Sequence, residues 1–419
     1  MNTLPKPDAA AQQPDTVRPL RVLLFSTLYP SAARPIHGIF VETRLRELLK
    51  TGQVEAKVVA PVPWFPFKGK SFGEYGLFAA TPSVEERHGV EVHHPRYLLP
   101  PRVGMNVAPY TLALGALATI RKLQREGFDF DLIDAHYYYP DGVAAGLLAR
   151  WLEKPFVVTA RGTDLNLIPQ HARPRQLILE TAERASASIG VCQALMTALQ
   201  GFGAAPEKLH TLRNGVDLER FQPEDQLSAR QKLGLPSPGR LLLSVGHLIE
   251  RKGHDIAIEA LASLPHDISL LIVGGGPERS ALEQQAASLG VATRVRFVGI
   301  VPQLQLKSWY SAADALVLCS SREGWANVLL ESMACGTPVI ASNIWGTPEV
   351  VAVPAAGVLM PERNAAGLVK AWAQLEGDWP NRADTRAYAT GFAWDSTTAG
   401  QLRIFDGIAR RNAKGIISS

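Results

Sequence analysis

The sequence predicts an α/β protein made of two doubly wound domains that face each other across a cleft. Three observations carry this. Short apolar runs alternate with helical patterns along the chain, the mark of parallel βαβ units. The alternation comes in two successive sets that change over near residue 216, without detectable sequence repetition. At 419 residues the chain is too long for one ordinary domain and suits two, each able to bury a core.

Residues 1–19 lack the apolar stretch of a signal peptide and read as a disordered leader. The first domain is expected over 20–215. "RVLLFST" (21–27) is a buried strand, followed by a loop with Pro30, Pro35 and Gly38 and a helix from "IFVETRLRELLK". "EAKVVAPV", "FDLIDAH" (130–136) and "FVVTARG" (156–162) are further strands, the last two ending in polar residues where a parallel sheet would present them. "SIGVC" and "KLHTLRNGVD" continue the pattern. The second domain, 216–393, alternates the strands "RLLLSVGHL", "ISLLIVGGG", "VRFVGIV", "ALVLCS" and "PVIAS" with helices between them. A last helix in 394–419, centred on "WDSTTAGQLRIFDGIARR", is expected to pack back on the first domain. In such sheets the ligand lies beyond the carboxyl ends of the strands, so two facing sheets place it in the cleft between them.

Bulk properties narrow the function. A net charge of +4 does not argue for nucleic acid, although basic residues gathered on one face would suit an anionic membrane or a phosphorylated substrate. Cys192, Cys319 and Cys335 are odd in number, in apolar surroundings and without zinc spacing, so they read as buried thiols in a reducing compartment. The longest apolar stretch, 107–120, is too short to span a bilayer and contains Pro109. The chain is therefore expected in the cytoplasm, with the inner face of the cytoplasmic membrane as its farthest reach.

Several motifs point to chemistry, or away from it. In "LIVGGGPERSAL" the third glycine of a dinucleotide fingerprint would fall at Arg279, so no cofactor site is expected and a dehydrogenase is disfavoured. "FDFD" (128–131) holds an Asp-x-Asp, but both acids enter a strand rather than leave one, where they cap and solvate its start. His93–His94 and His247/His254 lack a third ligand, so no metal is expected. "SVGHLIERKGHD" (244–255) presents Arg251 and Lys252 just past a strand, a charge pair suited to a diphosphate as well as to solvent. "TARGTDLN" (159–166) similarly places Arg161 and Asp164 after a strand.

"SSREGWANVLLESMACGTPVIAS" is the richest segment. Glu323 precedes Gly324 and so belongs to a strand-to-helix turn, with Asn327 near the helix start. Its carboxylate is expected beside the free N–H groups around Asn327 and Val328, an anion site in its own right. A ligand there would rest its phosphates on the helix terminus, with Glu323 and Glu331 holding hydroxyls on either side. That fits a nucleotide sugar.

Together these residues resemble the retaining glycosyltransferases of family 4, which have the GT-B fold. The Glu323–Glu331 segment is similar to the family's Glu, seven residues, Glu motif and the run that follows it; "RNGVD" (213–217), "RKG" and "PIHGIFV" match further segments, and the likeness covers roughly residues 20–410. The resemblance implies that Glu323 touches the transferred sugar, Glu331 the ribose and Lys252 the diphosphate. Gly38 would let backbone approach the phosphates, and the loop holding Val301 would border the base. There are two departures. The family's frequent arginine after the strand glycine is His247, leaving Arg251 to supply that charge, and the histidine often found in the "H-G-x-D" loop is Arg161, which cannot act as a base. The expected catalytic set is Glu323, Lys252, Arg251 and Arg161, with His136 and Asp164 facing the acceptor.

The resemblance thus implies a metal-independent, retaining transfer from a UDP-sugar or GDP-mannose. "PVPWFPFKGK" (61–70) and residues 95–125 mix aromatic, apolar and basic residues as a membrane interface does. A lipid-linked saccharide in exopolysaccharide or cell-surface glycan assembly is the leading acceptor, a soluble acceptor the second. A non-catalytic nucleotide-sugar sensor is the reading from another class.

Overall fold

The computed structural model describes residues 18–100, 104–236, 238–413 and 415. The expected leader lies outside the described residues up to position 17. Structure begins earlier than its expected end: Arg18 forks onto Asp131 at 3.0 and 2.6 Å. Asp131 also accepts the Arg21 amide at 2.8 Å, and Asp129 pairs with Lys154 at 2.8 Å. Both acids of "FDFD" thus serve the start of a strand.

The first half supplies β1 (Leu20–Phe25), β2 (Val54–Val59), β3 (Val62–Pro63), β4 (Val84–Arg87), β5 (Val90–His93), β6 (Arg96–Tyr97), β7 (Leu132–His136), β8 (Phe156–Ala160), β9 (Ala187–Gly190) and β10 (Leu209–Thr211). Eight form one sheet in the order β10-β9-β8-β7-β1-β2-β5-β4, parallel except for the edge strand β4, while β3 pairs with β6. The second half gives β11 (Arg240–Val245), β12 (Ile268–Val273), β13 (Val295–Gly299), β14 (Ala315–Leu318), β15 (Val339–Ser342) and β16 (Gly357–Met360). These form an all-parallel sheet, β13-β12-β11-β14-β15-β16. Runs such as Val22–Phe25 and Ala315–Leu318 are buried throughout because helices cover both faces of their sheets.

The strand order reverses between β11 and β14, and in the first sheet between β1 and β7. These are the places where a crevice opens at the strand ends. This is the GT-B architecture expected from the sequence.

The segment 107–120 is the middle of a helix, Gly104–Arg125, whose inward stripe is Leu112, Ala116, Ile120 and Leu123. Pro109 lacks the N–H that would bond the Met105 carbonyl, and the Tyr139 hydroxyl donates to that carbonyl instead. Helices Val143–Leu152, Ala172–Arg184, Gln193–Gly201, Ala365–Gly377 and Arg382–Thr390, and the strands β4 and β16, go beyond the elements named from sequence.

The chain crosses between the halves twice in one place, where the Val216 amide donates to the Phe392 carbonyl at 2.9 Å. Beyond the second crossing the helix Trp394–Ala413 returns to the first sheet, with Phe405 and Ile408 packed in a cluster with Val22, Leu132 and Val157. Glu349, from the second half, accepts the Gln193 and Ala194 amides at 3.0 and 3.1 Å and pairs with Arg213 at 2.7 Å. A carboxylate on the first turn of a helix across the cleft fastens the two halves electrostatically as well as by contact.

Candidate active site

The switch point of the second sheet builds one wall of the cleft. After β11 the chain makes a short turn carrying Arg251 and Lys252, closed by Gly253 at φ 69°. After β14 it enters the turn holding Glu323 and then the helix Asn327–Ala334. The two turns meet: Lys252 Nζ donates to Glu323 Oε1 at 2.7 Å, Ser320 Oγ donates to the same oxygen at 2.7 Å, and Arg251 stands 3.6 Å from it. Burial alone would raise the Glu323 carboxyl, but Lys252 and Arg251 outweigh it and hold the group below its ordinary range.

The expectation that Glu323 lies on the helix's free N–H groups is corrected. Its carboxylate turns to Lys252 and Ser320, and no side chain caps that helix. A cationic amine gives more electrostatic stabilisation than partial charges at a helix end. The helix terminus is thereby left open to the cavity.

The opposite wall follows β7 and β8. Arg161, buried, donates from Nη1 to Asn214 Oδ1 at 3.1 Å and from Nη2 to His136 Nδ1 at 2.5 Å, and lies over the Phe40 ring at 5.2 Å. His136 faces Asp134 through Nε2 at 3.2 Å. Since Arg161 can only donate, Nδ1 must accept and Nε2 carries the proton. Burial, offset in part by Asp134 and reinforced by Arg161, lowers the His136 imidazole to about 4, in keeping with this neutral form. Asp134 also accepts from Gln401 of the last helix at 3.1 Å, and Gln401 in turn accepts from buried Arg44 at 2.9 Å. At the cleft end Asn214 donates to Asn327 at 3.3 Å. A hydrogen-bond chain, in which Asp134 accepts from both neighbours and Arg161 donates to both, thus runs from the C-terminal helix to the start of the helix on the far wall.

A cavity of about 460 Å³ separates the walls, within the usual range of about 300–1,000 Å³ for ligand sites. Arg161, Arg251, Lys252, Glu323, Asn327 and Val328 line it, as the sequence led us to expect. The other expected residues lie elsewhere. His136 and Asp164 are fully buried and turned inward; Asp164 accepts the amides of Tyr138, Arg161 and Gly162, and so shapes the loop rather than facing an acceptor. Glu331 is not among the lining residues; it accepts from Tyr310 at 2.7 Å and Gln303 at 3.3 Å, and burial raises its carboxyl. Gly38 touches the cavity through its neighbours: at φ 69° it sits so close to Leu28 that a Cβ would lie 2.3 Å from that carbonyl. His247 is exposed and Val301 half-buried, both outside the cavity lining. Phe40, Tyr137, Asn166, Asn214, Arg322 and Trp325 line the cavity without having been singled out; all but Tyr137 lay within segments the sequence had marked, "PIHGIFV", "TARGTDLN", "RNGVD" and "SSREGWANVLLESMACGTPVIAS".

The walls touch backbone to backbone. A Cβ on Gly324 would lie 2.0 Å from the Arg161 carbonyl oxygen, so this closed arrangement requires glycine there.

Comparison with known proteins agrees with this geometry. Residues 74–220 match the family described as "Glycosyltransferase Family 4", and residues 225–392 that described as "Glycosyl transferases group 1". A Bacillus subtilis glycosyltransferase named for teichuronic acid biosynthesis is 30% identical over 78% of this chain and 82% of its own. A D-inositol 3-phosphate glycosyltransferase of Catenulispora acidiphila is 31% identical over 92% and 96%. Among solved structures, a sucrose-phosphate synthase from Thermosynechococcus elongatus superimposes with a TM-score of 0.75 at 21% identity, covering 93% of this chain and 99% of that one. An Anabaena protein solved with UDP and glucose gives 0.70 at 21% identity, covering 93% and 100%. Fold and site define a glycosyltransferase of the GT-B class. The chain belongs to the family 4 glycosyltransferases.

Proposed function

We propose that this enzyme transfers a sugar, with retention and without a metal ion, from a nucleotide-diphosphate sugar to a saccharide acceptor in cell-surface glycan assembly. The observation that carries the reading is the Lys252–Glu323 pair at the strand-order reversal, beside the open terminus of the helix Asn327–Ala334. Breaking the bond from anomeric carbon to phosphate leaves positive charge on the sugar and negative charge on the diphosphate. Lys252, Arg251 and the first amides of that helix meet the departing charge, each well-placed donor contributing about 3–4 kcal/mol to the transition state. Glu323, already engaged by Lys252 and Ser320, positions the sugar and does not attack it covalently. UDP-sugars and GDP-mannose are the donors in view; the Anabaena neighbour, solved with UDP and glucose, supports the former.

We further propose a lipid-linked acceptor taken at a membrane face. Trp64 (55% exposed), Phe67 (58%) and Tyr75 (50%) are exposed in the segment around Lys68, Phe67 and Tyr75 being held by ring contacts of 5.3–6.0 Å among Phe65, Phe67, Phe72 and Tyr75. Leu98 (63%) and Leu114 (62%) also protrude from the same half of the molecule. Aromatic rings with lysine among them suit the headgroup layer. Among the described residues no helix is long and apolar enough to cross a membrane, so contact would be peripheral.

Nucleotide release from UDP-glucose and GDP-mannose, measured for the wild type, Glu323→Gln and Lys252→Ala, tests the activity. Binding of nucleotide sugar with no release in the presence of any acceptor would establish a sensor and end the enzyme reading. Sedimentation with phosphatidylglycerol vesicles tests the membrane face, and full activity on a soluble acceptor without vesicle binding sinks it.

A further inference from the structure

Arg161 has a chemistry that the donor does not use up. Of the five N–H groups of its guanidinium, one goes to an amide oxygen of Asn214 and one to neutral His136. Among the described residues its Nε has no hydrogen-bond partner, and no carboxylate comes within ion-pair distance of the guanidinium. Asp164, the nearest acid in sequence, is engaged by backbone amides, including that of Arg161 itself. Asp134 and Asp164 act on its charge only from beyond ion-pair distance. A cation buried to more than nine-tenths with no carboxylate in contact is costly, and proteins keep such a group where a ligand completes it.

The cavity's charge inventory points the same way. Arg161, Arg251, Lys252 and Arg322 line it with Glu323 as the sole acid, four cations to one anion among the described residues. Lys252 neutralises Glu323 at 2.7 Å. A diphosphate at the second-domain wall accounts for Arg251 and Arg322, which share that wall. Arg161 remains, the one cation of the first-domain wall among the described residues that line the cavity. The other unpartnered polar atoms lining the cavity are the Asn166 amide, the Arg322 Nε and the Trp325 indole N–H, mostly donors in search of oxygen. Bound water would satisfy such donors but leave the charge uncompensated.

We infer that the acceptor saccharide carries an anionic oxygen group, a carboxylate or a phosphate ester, and that Arg161 anchors it. The unspent N–H groups of the guanidinium can receive two oxygens in parallel, which a histidine at this position cannot do. Phe40 places its ring centroid 5.2 Å from the guanidinium carbon, and His136, tied to Asp134 and through it to Gln401, holds Nη2. The inference rests on the glycosyltransferase reading and specifies its acceptor class.

The test uses the full chain with UDP-glucose and GDP-mannose as donors. Four acceptor probes are compared in charged and neutral pairs: p-nitrophenyl glucuronide against the glucoside, and glucose 6-phosphate against glucose. The expected result is a kcat/KM at least about tenfold higher on one charged probe than on its neutral partner, the scale of one charge-assisted pair. Whichever pair shows the preference separates carboxylate from phosphate. The charged-to-neutral ratio should fall toward one in Arg161→Gln and Arg161→His and be partly kept in Arg161→Lys; a ratio requires only that one of these variants folds. A wild type that prefers neither charged probe overturns the inference alone. So does an Arg161→Gln chain whose binding of UDP and GDP falls by as much as its ratio, since Arg161 would then belong to the diphosphate. A wild type that turns over no nucleotide sugar with any probe overturns the glycosyltransferase reading, and the inference with it.

Discussion

The two walls of the cleft are built by opposite means. On the second-domain wall, Arg251, Lys252, Glu323 and Asn327 come from two turns that leave neighbouring strands, so their meeting follows from the sheet order alone. On the first-domain wall, Arg161 is held by His136, Asp134 and Gln401, groups drawn from the neighbouring strand β7 and from a helix more than two hundred residues away. One wall has its charges paired in short contacts. The other places one cation, with no carboxylate in contact among the described residues, in the middle of a long hydrogen-bond chain. Local loops can supply binding charge, whereas placing a buried cation takes the tertiary structure of the whole molecule.

The most severe break is Gly324→Val, which drives a Cβ against the Arg161 carbonyl and separates the walls. Nucleotide-sugar turnover should fall by at least about 100-fold, as expected of a roughly 1 Å misplacement, while the circular dichroism spectrum and UDP affinity stay near wild type. Equal loss of UDP binding would mean that the clash disrupts the second-domain wall itself. Next comes Lys252→Ala, which removes the central cation of that wall. Turnover should drop about 100- to 1,000-fold, and Glu323, left with Arg251 at 3.6 Å, should titrate closer to its ordinary range.

The walls should also part on acidification. His136, lowered to about 4 by burial, is neutral when folded, so the unfolded chain binds more protons between its ordinary pKa of about 6.5 and 4. Stability therefore falls as pH drops through that window, by about 3 kcal/mol from this group at its lower end. Glu323, held below its ordinary range, gives stability that is present above the ordinary carboxylate pKa and lost only as pH falls through the lower folded one. Thermal melts of wild type and His136→Gln from pH 4 to 7 should show a steeper fall in the wild type, since His37 and His254, also lowered to about 4 by burial, contribute equally to both.

Gln401→Leu removes a donor from Asp134 and an acceptor from Arg44, both buried. The chain should lose about 1–3 kcal/mol, and turnover should fall more than nucleotide affinity does. Smallest is Glu349→Ala, which strips the helix Gln193–Gly201 of its cross-cleft carboxylate and should cost about 1 kcal/mol. A melt unchanged in that variant would show that the halves stay joined without this carboxylate.

The sequence by itself determined the two doubly wound sheets, because a strand buried on both faces must read as a continuous apolar run whatever its neighbours are. It also determined the charges beyond β11 and β14, because a parallel sheet delivers its strand ends to one edge. Only the tertiary structure decided which charges meet. Nothing near Glu323 in sequence says that its carboxylate prefers Lys252 to the helix amides beside it. His136 and Asp164 looked like acceptor contacts at strand exits, yet their side chains are consumed by the loop and by Arg161. Gln401 carried no signal, since a polar residue on a helix shows its partner only when the fold buries it. Hydrophobic pattern is a property of successive residues, while a buried polar partnership depends on distances that exist only once the chain has folded.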